Sequence, residues 1–230
     1  MPGLGEDWEE VLQTLRRISR YYRRLNTVVS LGLDSRLRRE LVRGRIREGE
    51  IVLDAGAGEG SLTEIILEEN PGLALMLDPL LEMLGRSRLS SVEKVVGVFE
   101  SLPLRSASID VAALSFSLRD SQDMERALTE LSRILKEDGR LLVLDLGKSN
   151  KLPVDILFKL YWKLIAPLIA FIRLGIKGIT ISEIYRTYRR LPKNIQLIKL
   201  VEKFFKKVEW REKLMGGILI ISAWKPRSSP

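Results

Sequence analysis

The sequence contains no cysteine, which excludes disulfide staples, thiolate zinc sites and cysteine nucleophiles together. It contains no histidine either, which removes the usual general base, the commonest metal ligand and every Ser-His-Asp arrangement. Acid–base chemistry is left to carboxylates, Tyr, Lys, Arg or bound water, and no metal site is expected. Asn and Gln are scarce, a composition that leans toward a heat-adapted, thermophile chain. Long apolar runs are also missing. The most apolar stretch is 152–176, yet its longest uncharged run is 164–172, well short of the ~20 residues of a spanning helix. No N-terminal segment joins a basic flank to an apolar run, so no signal peptide is expected and the chain is assigned to the cytoplasm.

What is present is a globular composition: 230 residues, 45% hydrophobic and 30% charged, the size of one domain, 1–230. The net charge of +8 is uneven. Residues 1–150 carry 21 Lys and Arg against 25 Asp and Glu, whereas 151–230 carry 17 against 5. A basic half attracts nucleic acid, anionic lipid or an acidic partner without saying which.

Hydrophobic periodicity predicts helices over 8–24 and 35–46, then a short strand at Ile51-Val52-Leu53 running into glycines and a helix over 61–69. A second strand over 73–77, a helix over 80–88 and a strand at Val95-Val96 follow. A strand over 109–116, a helix over 124–136 and a strand over 140–146 complete the rhythm, which specifies parallel βαβ units. Helices over 182–190 and 193–205 are divided by Pro192. The segments 208–213 and 218–224 have too short a connection for a crossover helix, so they predict an antiparallel hairpin.

The informative segment is Asp54-Ala55-Gly56-Ala57-Gly58-Glu59-Gly60, at the handover from strand to helix. Its glycines let a ligand approach the backbone, and Asp78, twenty residues after Gly58, is placed to accept both hydroxyls of an unsubstituted ribose. A dinucleotide fingerprint would need glycine at Ser61, and its diphosphate would be repelled by Asp54 and Glu59. A cationic cofactor without phosphates reverses that objection. S-adenosylmethionine has a sulfonium, an ammonium and a free ribose, and is the preferred reading. Asp54 then either meets the ammonium through water or holds the loop's own amides. Ser115 either contacts ligand at a strand end or serves the turn.

Several motifs resemble the ubiquinone/menaquinone biosynthesis C-methyltransferases, within the class I S-adenosylmethionine-dependent methyltransferases. Tyr22, Asn26, Ser30 and Gly32-Leu33 match a spaced N-terminal pattern. Asp78-Pro79-Leu80-Leu81-Glu82-Met83-Leu84, Ser101-Leu102-Pro103-Leu104 and Leu214-Met215-Gly216-Gly217-Ile218 match later ones. Ser115-Phe116-Ser117-Leu118-Arg119-Asp120 is the most family-specific. The resemblance implies an α/β, Rossmann-like methyltransferase fold: a mostly parallel seven-stranded sheet, a C-terminal antiparallel hairpin and helices on both faces. It implies cofactor contacts from Asp54, Ala55, Gly56, Ala57, Gly58, Asp78, Pro79, Val98, Phe99, Glu100 and Ser115, and substrate contacts from Tyr22, Asn26 and Arg119. Arg119 and Asp120 are the implied catalytic pair. This chain departs from the family at Ala57, where a hydroxyl is lost, at Val98, where a polar residue is expected near adenine, and at Ser222, where a late histidine falls.

The resulting expectation is methyl transfer from S-adenosylmethionine, leaving S-adenosylhomocysteine, to a hydroquinone-like ring carbon. Residues 1–47 form an N-terminal cap and 152–205 a lid. The ring's proton leaves through water oriented by Arg119, Asp120 or Glu100, or through a tyrosinate. Another small molecule, a lipid headgroup or tRNA is the rival acceptor, and a cofactor-binding module without turnover is the rival outside enzymes. Arg119 also reads as an ordinary ion pair, and Tyr22 as helix packing. Residues 152–205 read as core, as a lid, or as a segment at a membrane surface, and a homodimer is open. The basic residues Arg186, Arg189, Arg190, Lys203, Lys206 and Lys207 read as solvated helix faces more than as a nucleic-acid surface.

Overall fold

The computed structural model describes residues 3–175 and 182–226. Three N-terminal helices, α1 (Trp8–Ile18), α2 (Tyr22–Val29) and α3 (Leu33–Val42), precede the sheet. The chain then alternates through β1 (Ile51–Ala55), α4 (Thr63–Leu67), β2 (Leu73–Asp78), α5 (Leu81–Leu84), β3 (Glu93–Val96), β4 (Ile109–Ser115), α6 (Met124–Ile134) and β5 (Leu135–Leu146). Helices α7 (Leu152–Leu160), α8 (Ala166–Leu174), α9 (Ser182–Arg190) and α10 (Asn194–Phe204) follow, and β6 (Phe205–Lys213) and β7 (Ile218–Pro226) end it. The described strands form one seven-stranded sheet in the order β3-β2-β1-β4-β5-β7-β6, with only β7 pairing antiparallel to both neighbours. The expected fold class and the terminal hairpin are both present.

Strand alternation assigns the two faces. Val52, Val111, Ala113, Leu142 and Leu144 pack under the N-terminal helices, whereas Leu53, Ala55, Ala112, Leu114 and Val143 pack against α6 and α10. Both faces of the central strands are therefore apolar, which is why β1 reads as a continuous hydrophobic run that ends abruptly at Asp54. Local chemistry sets several element ends. The Asp123 carboxylate accepts from the Glu125 and Arg126 amides and starts α6. Pro153 occupies the first turn of α7, where its missing N–H costs nothing.

Five predicted elements need correction. The helix expected over 8–24 is two helices, broken at residues 19–21, where the Ser19 hydroxyl accepts from Arg86 Nε. Apolar spacing continues through such a break, so periodicity cannot see it. The helix expected over 35–46 begins instead at Leu33, after Gly32 turns the chain at φ +78°, and ends at Val42. Those expected over 61–69 and 80–88 shorten to α4 and α5, because flanking residues turn with i→i+3 bonds rather than α-helical ones. Helix α6 ends at Ile134 because Leu135 takes an extended conformation and already pairs with Ile109, before a register shift resumes the pairing at Val111–Arg140.

Within the apolar stretch, Tyr161–Ile165 forms one wide π-helical turn between α7 and α8. Pro167, just inside α8, supplies no N–H and pushes against the carbonyl of Lys163, and this turn absorbs the defect. Among the described residues, no helix is long and apolar enough to cross a membrane. The end of that stretch, Ile176, lies outside the described residues.

Candidate functional site

The strand order reverses between β1 and β4, and in open parallel sheets ligands bind beyond the carboxyl ends of strands at such a reversal. A cleft open to solvent, with about 940 Å³ of empty space, lies there. Its floor is the 56–58 loop. Gly56 has φ +74°, and a Cβ added to it would lie 2.4 Å from Cβ of Ser117, so glycine is required where the two strand ends meet. Trp8, Val11, Leu12 and Leu15 of α1 form part of the opposite wall. The N-terminal helix is thus part of the site.

Carboxylates dominate the electrostatics. Asp78 accepts from the Gly58 amide through Oδ2 and the Leu80 amide through Oδ1, both at 2.9 Å. Each carboxylate oxygen retains a second lone pair for a ligand. Burial raises the Asp78 carboxyl to about 6 against the pull of those amides. Asp54 accepts from the Thr63 hydroxyl through Oδ2 at 2.6 Å, while Oδ1 is buried without a partner. Burial pushes the Asp54 carboxyl up to about 7, with the Thr63 hydrogen bond opposing. Glu59, also on the cleft, is raised for the same reason of burial.

A second cleft of about 950 Å³ is lined mainly by apolar groups, among them Val29, Leu33, Leu37, Leu146 and Phe158. Gly217 belongs to its wall because a Cβ there would lie 2.0 Å from the Phe158 ring. Asn26 and Phe116 line both clefts, so the two share a wall. Phe116 sits at φ +59°, a conformation rare for an aromatic residue and concentrated at functional positions.

Beside that wall stands a buried charge cluster. The 3-10 turn Leu118–Asp120 follows β4 and carries Arg119, whose Nη1 donates to Asp145 Oδ1 at 2.8 Å and to the Phe116 carbonyl at 2.5 Å. Arg119 Nη2 lies 3.4 Å from Asp120 Oδ2, and its Nε is buried without a partner. Burial works against the guanidinium charge, but Asp120 and Asp145 outweigh it and raise the Arg119 pKa. Asp120 lines the first cleft, its Oδ1 unpartnered. Burial lifts its carboxyl to about 6 against the Arg119 charge. Tyr22, also on the first cleft, is raised by desolvation.

Of the residues expected at the site, Tyr22, Asn26, Asp54, Gly56, Ala57, Gly58, Asp78, Pro79, Val98, Phe99, Glu100, Ser115 and Asp120 all line the first cleft. Two expectations are corrected. Ala55 is absent from the lining, because strand alternation turns its side chain to the face opposite Asp54, into the core. Asp54 does not hold the loop's amides; its bonded oxygen is taken by Thr63 of α4. Arg119 lines the second cleft rather than the first. Ser115 Oγ accepts from Arg38 Nε at 2.8 Å, and Glu100 Oε1 accepts from the Asp123 amide at 3.0 Å.

Two residues at or beside the clefts, Arg38 and Asp145, escape sequence reasoning. Arg38 is hidden among neighbouring arginines on α3, and only its i,i+4 spacing from Asp34, to which it donates at 2.6 Å, marks it. Asp145 is signalled by being the one charge in the apolar run 141–146. Trp162 is signalled by its place with Tyr161, Lys159 and Lys163 beside the apolar run 164–172, a mixture that suits a membrane interface or the cap of a greasy pocket.

The geometry suits a cation-bearing, phosphate-free cofactor. The loop is crowded against Ser117 at Gly56, the raised carboxylates of Asp54 and Asp78 would be recharged by a nearby cation, and the orphaned Asp54 oxygen seeks a donor. Comparison with known proteins agrees. Residues 4–225 match the ubiE/COQ5 methyltransferase family. The chain is 32% identical to the demethylmenaquinone methyltransferase of Corynebacterium kroppenstedtii over 95% of both chains. It is 28% identical to the ubiquinone/menaquinone biosynthesis C-methyltransferase of Acidiphilium cryptum, over 96% of this chain and 92% of that one. The fold matches an S-adenosylmethionine-dependent methyltransferase of Thermotoga maritima with TM-score 0.66 at 20% identity, covering 93% of this chain and 98% of that one. The chain belongs to the ubiE/COQ5 methyltransferase family and is an S-adenosylmethionine-dependent methyltransferase.

Proposed function

We propose that this enzyme methylates a ring carbon of a hydroquinone-like acceptor held in the apolar cleft. The observation that carries the reading is the shared wall: Asn26 and Phe116 line both the carboxylate-rich cleft and the apolar one. When bound, the cofactor supplies an electrophilic methyl group on a sulfonium. The residues for holding it are the Ala57 and Gly58 backbone, Asp78 for the ribose hydroxyls, Asp54 Oδ1 for the ammonium side, and Val98 and Phe99 for adenine. Transfer is an in-line displacement, so most of the catalysis is alignment of two bound partners across that wall.

Making the ring carbon nucleophilic requires removal of a phenolic proton. Asp120 is the proton acceptor in this reading. It lines the carboxylate-rich cleft next to Arg119 of the apolar one, has an unpartnered buried oxygen, and its carboxyl near 6 is poised to take a proton at neutral pH and return it. Arg119 stays charged and stabilises the developing phenolate. Glu100 is the weaker candidate, since one oxygen is already committed to the Asp123 amide.

The acceptor is lipidic in this reading and meets the enzyme at a membrane surface. Leu152, Ile156, Leu157 and Leu160 of α7 and Leu168 and Ile172 of α8 are solvent-exposed, with Lys159, Lys163 and Arg173 beside them. That mixture suits a helix lying in an anionic interface. Arg186 and Arg190 are instead engaged with Asp7 and Glu10, which leaves less of the basic half for RNA. The test is labelled methyl transfer into separated lipid, small-molecule and RNA fractions, followed by a purified alkyl-hydroquinone. Label in a ring carbon of the hydroquinone supports the reading, and label confined to RNA or to oxygen overturns it.

A further inference from the structure

Four buried side-chain atoms among the described residues lack any hydrogen-bond partner, and they divide by cleft. Asp54 Oδ1 and Asp120 Oδ1 belong to residues of the cofactor cleft, and both are acceptors. Arg119 Nε and Trp162 Nε1 belong to residues of the apolar cleft, and both are donors. A buried donor without a partner is costly, so such atoms persist where something supplies the missing acceptor.

Of the other polar side chains lining the apolar cleft, Asn26 stands on the shared wall, and Tyr161, Ser30 and Asp34 are committed within the protein. The Tyr161 hydroxyl donates to the Val29 carbonyl at 2.6 Å. The Ser30 hydroxyl donates to Asp34 Oδ1 at 3.0 Å, and Asp34 Oδ2 accepts from Arg38. Trp162 is only 6% exposed and stacks edge-on against Tyr161, with ring centroids 5.2 Å apart, so its ring is fixed by packing. It sits in the π-helical turn before Pro167, a distortion frequent at functional sites. Indole has one donor and no acceptor, so its partner must be an oxygen or nitrogen lone pair.

We propose that Trp162 is a specificity-determining residue whose indole N–H binds a second ring oxygen of the acceptor, alongside Arg119. The inference rests on the acceptor reading above and deepens it. Two donors in an otherwise apolar cleft select a flat, greasy ring bearing two oxygens over a ring bearing one. A site built to hydrogen-bond an oxygen rejects the analogue lacking it, because its own buried donor is then left bare.

The test is a binding cycle with S-adenosylhomocysteine present and no turnover. Wild type and Trp162→Phe are titrated calorimetrically with 1,4-naphthoquinone, which offers two ring oxygens, and 1-tetralone, which offers one. The chain has no cysteine for the quinone to alkylate. Wild type is expected to prefer the dione by roughly tenfold, the order of one neutral hydrogen bond, and Trp162→Phe to lose that preference. The variant without ligand is expected to melt somewhat below wild type, because the smaller ring leaves a cavity in the packed core, and its melting curve serves to confirm that it folds. A preference that survives in the folded variant overturns the assignment. Equal binding of both probes to wild type overturns it while leaving the acceptor reading intact. Failure of both probes to bind wild type removes the acceptor reading and this inference with it.

Discussion

Arg38 Nε donates to the Ser115 hydroxyl at 2.8 Å, tying the third N-terminal helix to the end of the fourth strand across 77 residues. The same guanidinium pairs with buried Asp34 and lies 5.3 Å from the Phe116 ring centroid, beside the wall between the clefts. Removing one partner of a buried pair leaves the other charge uncompensated, at about 3–5 kcal/mol. Arg38→Ala is expected to lower unfolding free energy by that order in denaturant titration. Restoring an apolar match with Arg38→Met and Asp34→Leu together should recover most of it. A single variant as stable as wild type would show that the pair holds nothing.

Asp78 is expected to carry cofactor affinity. Asp78→Ala removes the ribose acceptor and frees the Gly58 and Leu80 amides it now holds. Losing hydrogen bonds to a charged group costs about 1.5–3 kcal/mol, roughly ten- to a hundredfold in affinity. S-adenosylhomocysteine should raise the melting temperature of wild type at micromolar concentration, NAD should not, and the variant should need correspondingly more ligand. An unchanged dissociation constant in Asp78→Ala would take this carboxylate out of the ribose site.

The raised carboxyls make cofactor binding depend on pH. Folded Asp54 titrates near 7 and folded Asp78 near 6, both above their ordinary value of 3.8. Across that interval the folded protein holds more protons than the unfolded chain, so their contribution to stability falls as pH rises from about 4 to 7. A cationic ligand favours the ionised carboxylates and expels those protons. Affinity should therefore climb between pH 5 and 7 and level off above, and calorimetry in buffers of different ionisation enthalpy should register proton release near pH 6. Asp54→Asn should flatten the profile. Proton uptake on binding would contradict the arrangement.

Most of the carboxylate-rich cleft, proposed for the cofactor, was legible in the sequence, whereas of the apolar cleft the sequence named Asn26 and Arg119 and left most of the rest, for a physical reason. Asp54, the glycine loop and Asp78 lie at the ends of two adjacent strands, and strand ends are written locally, by apolar runs that stop. Fold class follows from the same runs. The apolar cleft is assembled from α2, α3, the π-helical turn and the connection before β7, whose residues span Asn26 to Ile218. Apart from those that the family resemblance singles out, such as Asn26, Ser30 and Arg119, each looks like ordinary core in its own segment. Gly217 stands in a motif, but its reason, the Phe158 ring against its Cα, exists only in three dimensions. Arg186 reads as a solvated basic residue and stays partly exposed, while its ion pairs to Asp7 and Glu10 at the start of α1 are visible only in three dimensions.

Arg119 is where the two halves meet. It lines the apolar cleft, contacts Asp120 of the cofactor cleft and is anchored by Asp145 from the neighbouring strand. Because it does not line the cofactor cleft, Arg119→Ala should leave S-adenosylhomocysteine affinity within about twofold of wild type, while turnover falls by roughly a hundredfold or more, as when one oxyanion donor is removed. The same change leaves Asp120 and Asp145 without their cation. Asp120 is held down by that charge, so its carboxyl should rise, and the acid limb of the turnover profile should move to higher pH. Arg119→Lys keeps the charge and should restore stability and most of the limb's position, yet recover little turnover, because an ammonium cannot reproduce the planar fork or the Nε donor. The measurements are melting temperature, cofactor titration and a pH–rate profile on both variants. Full turnover in Arg119→Ala would reduce the arginine to an internal tie between strands, and a parallel loss of cofactor affinity would place it on the wrong side of the shared wall.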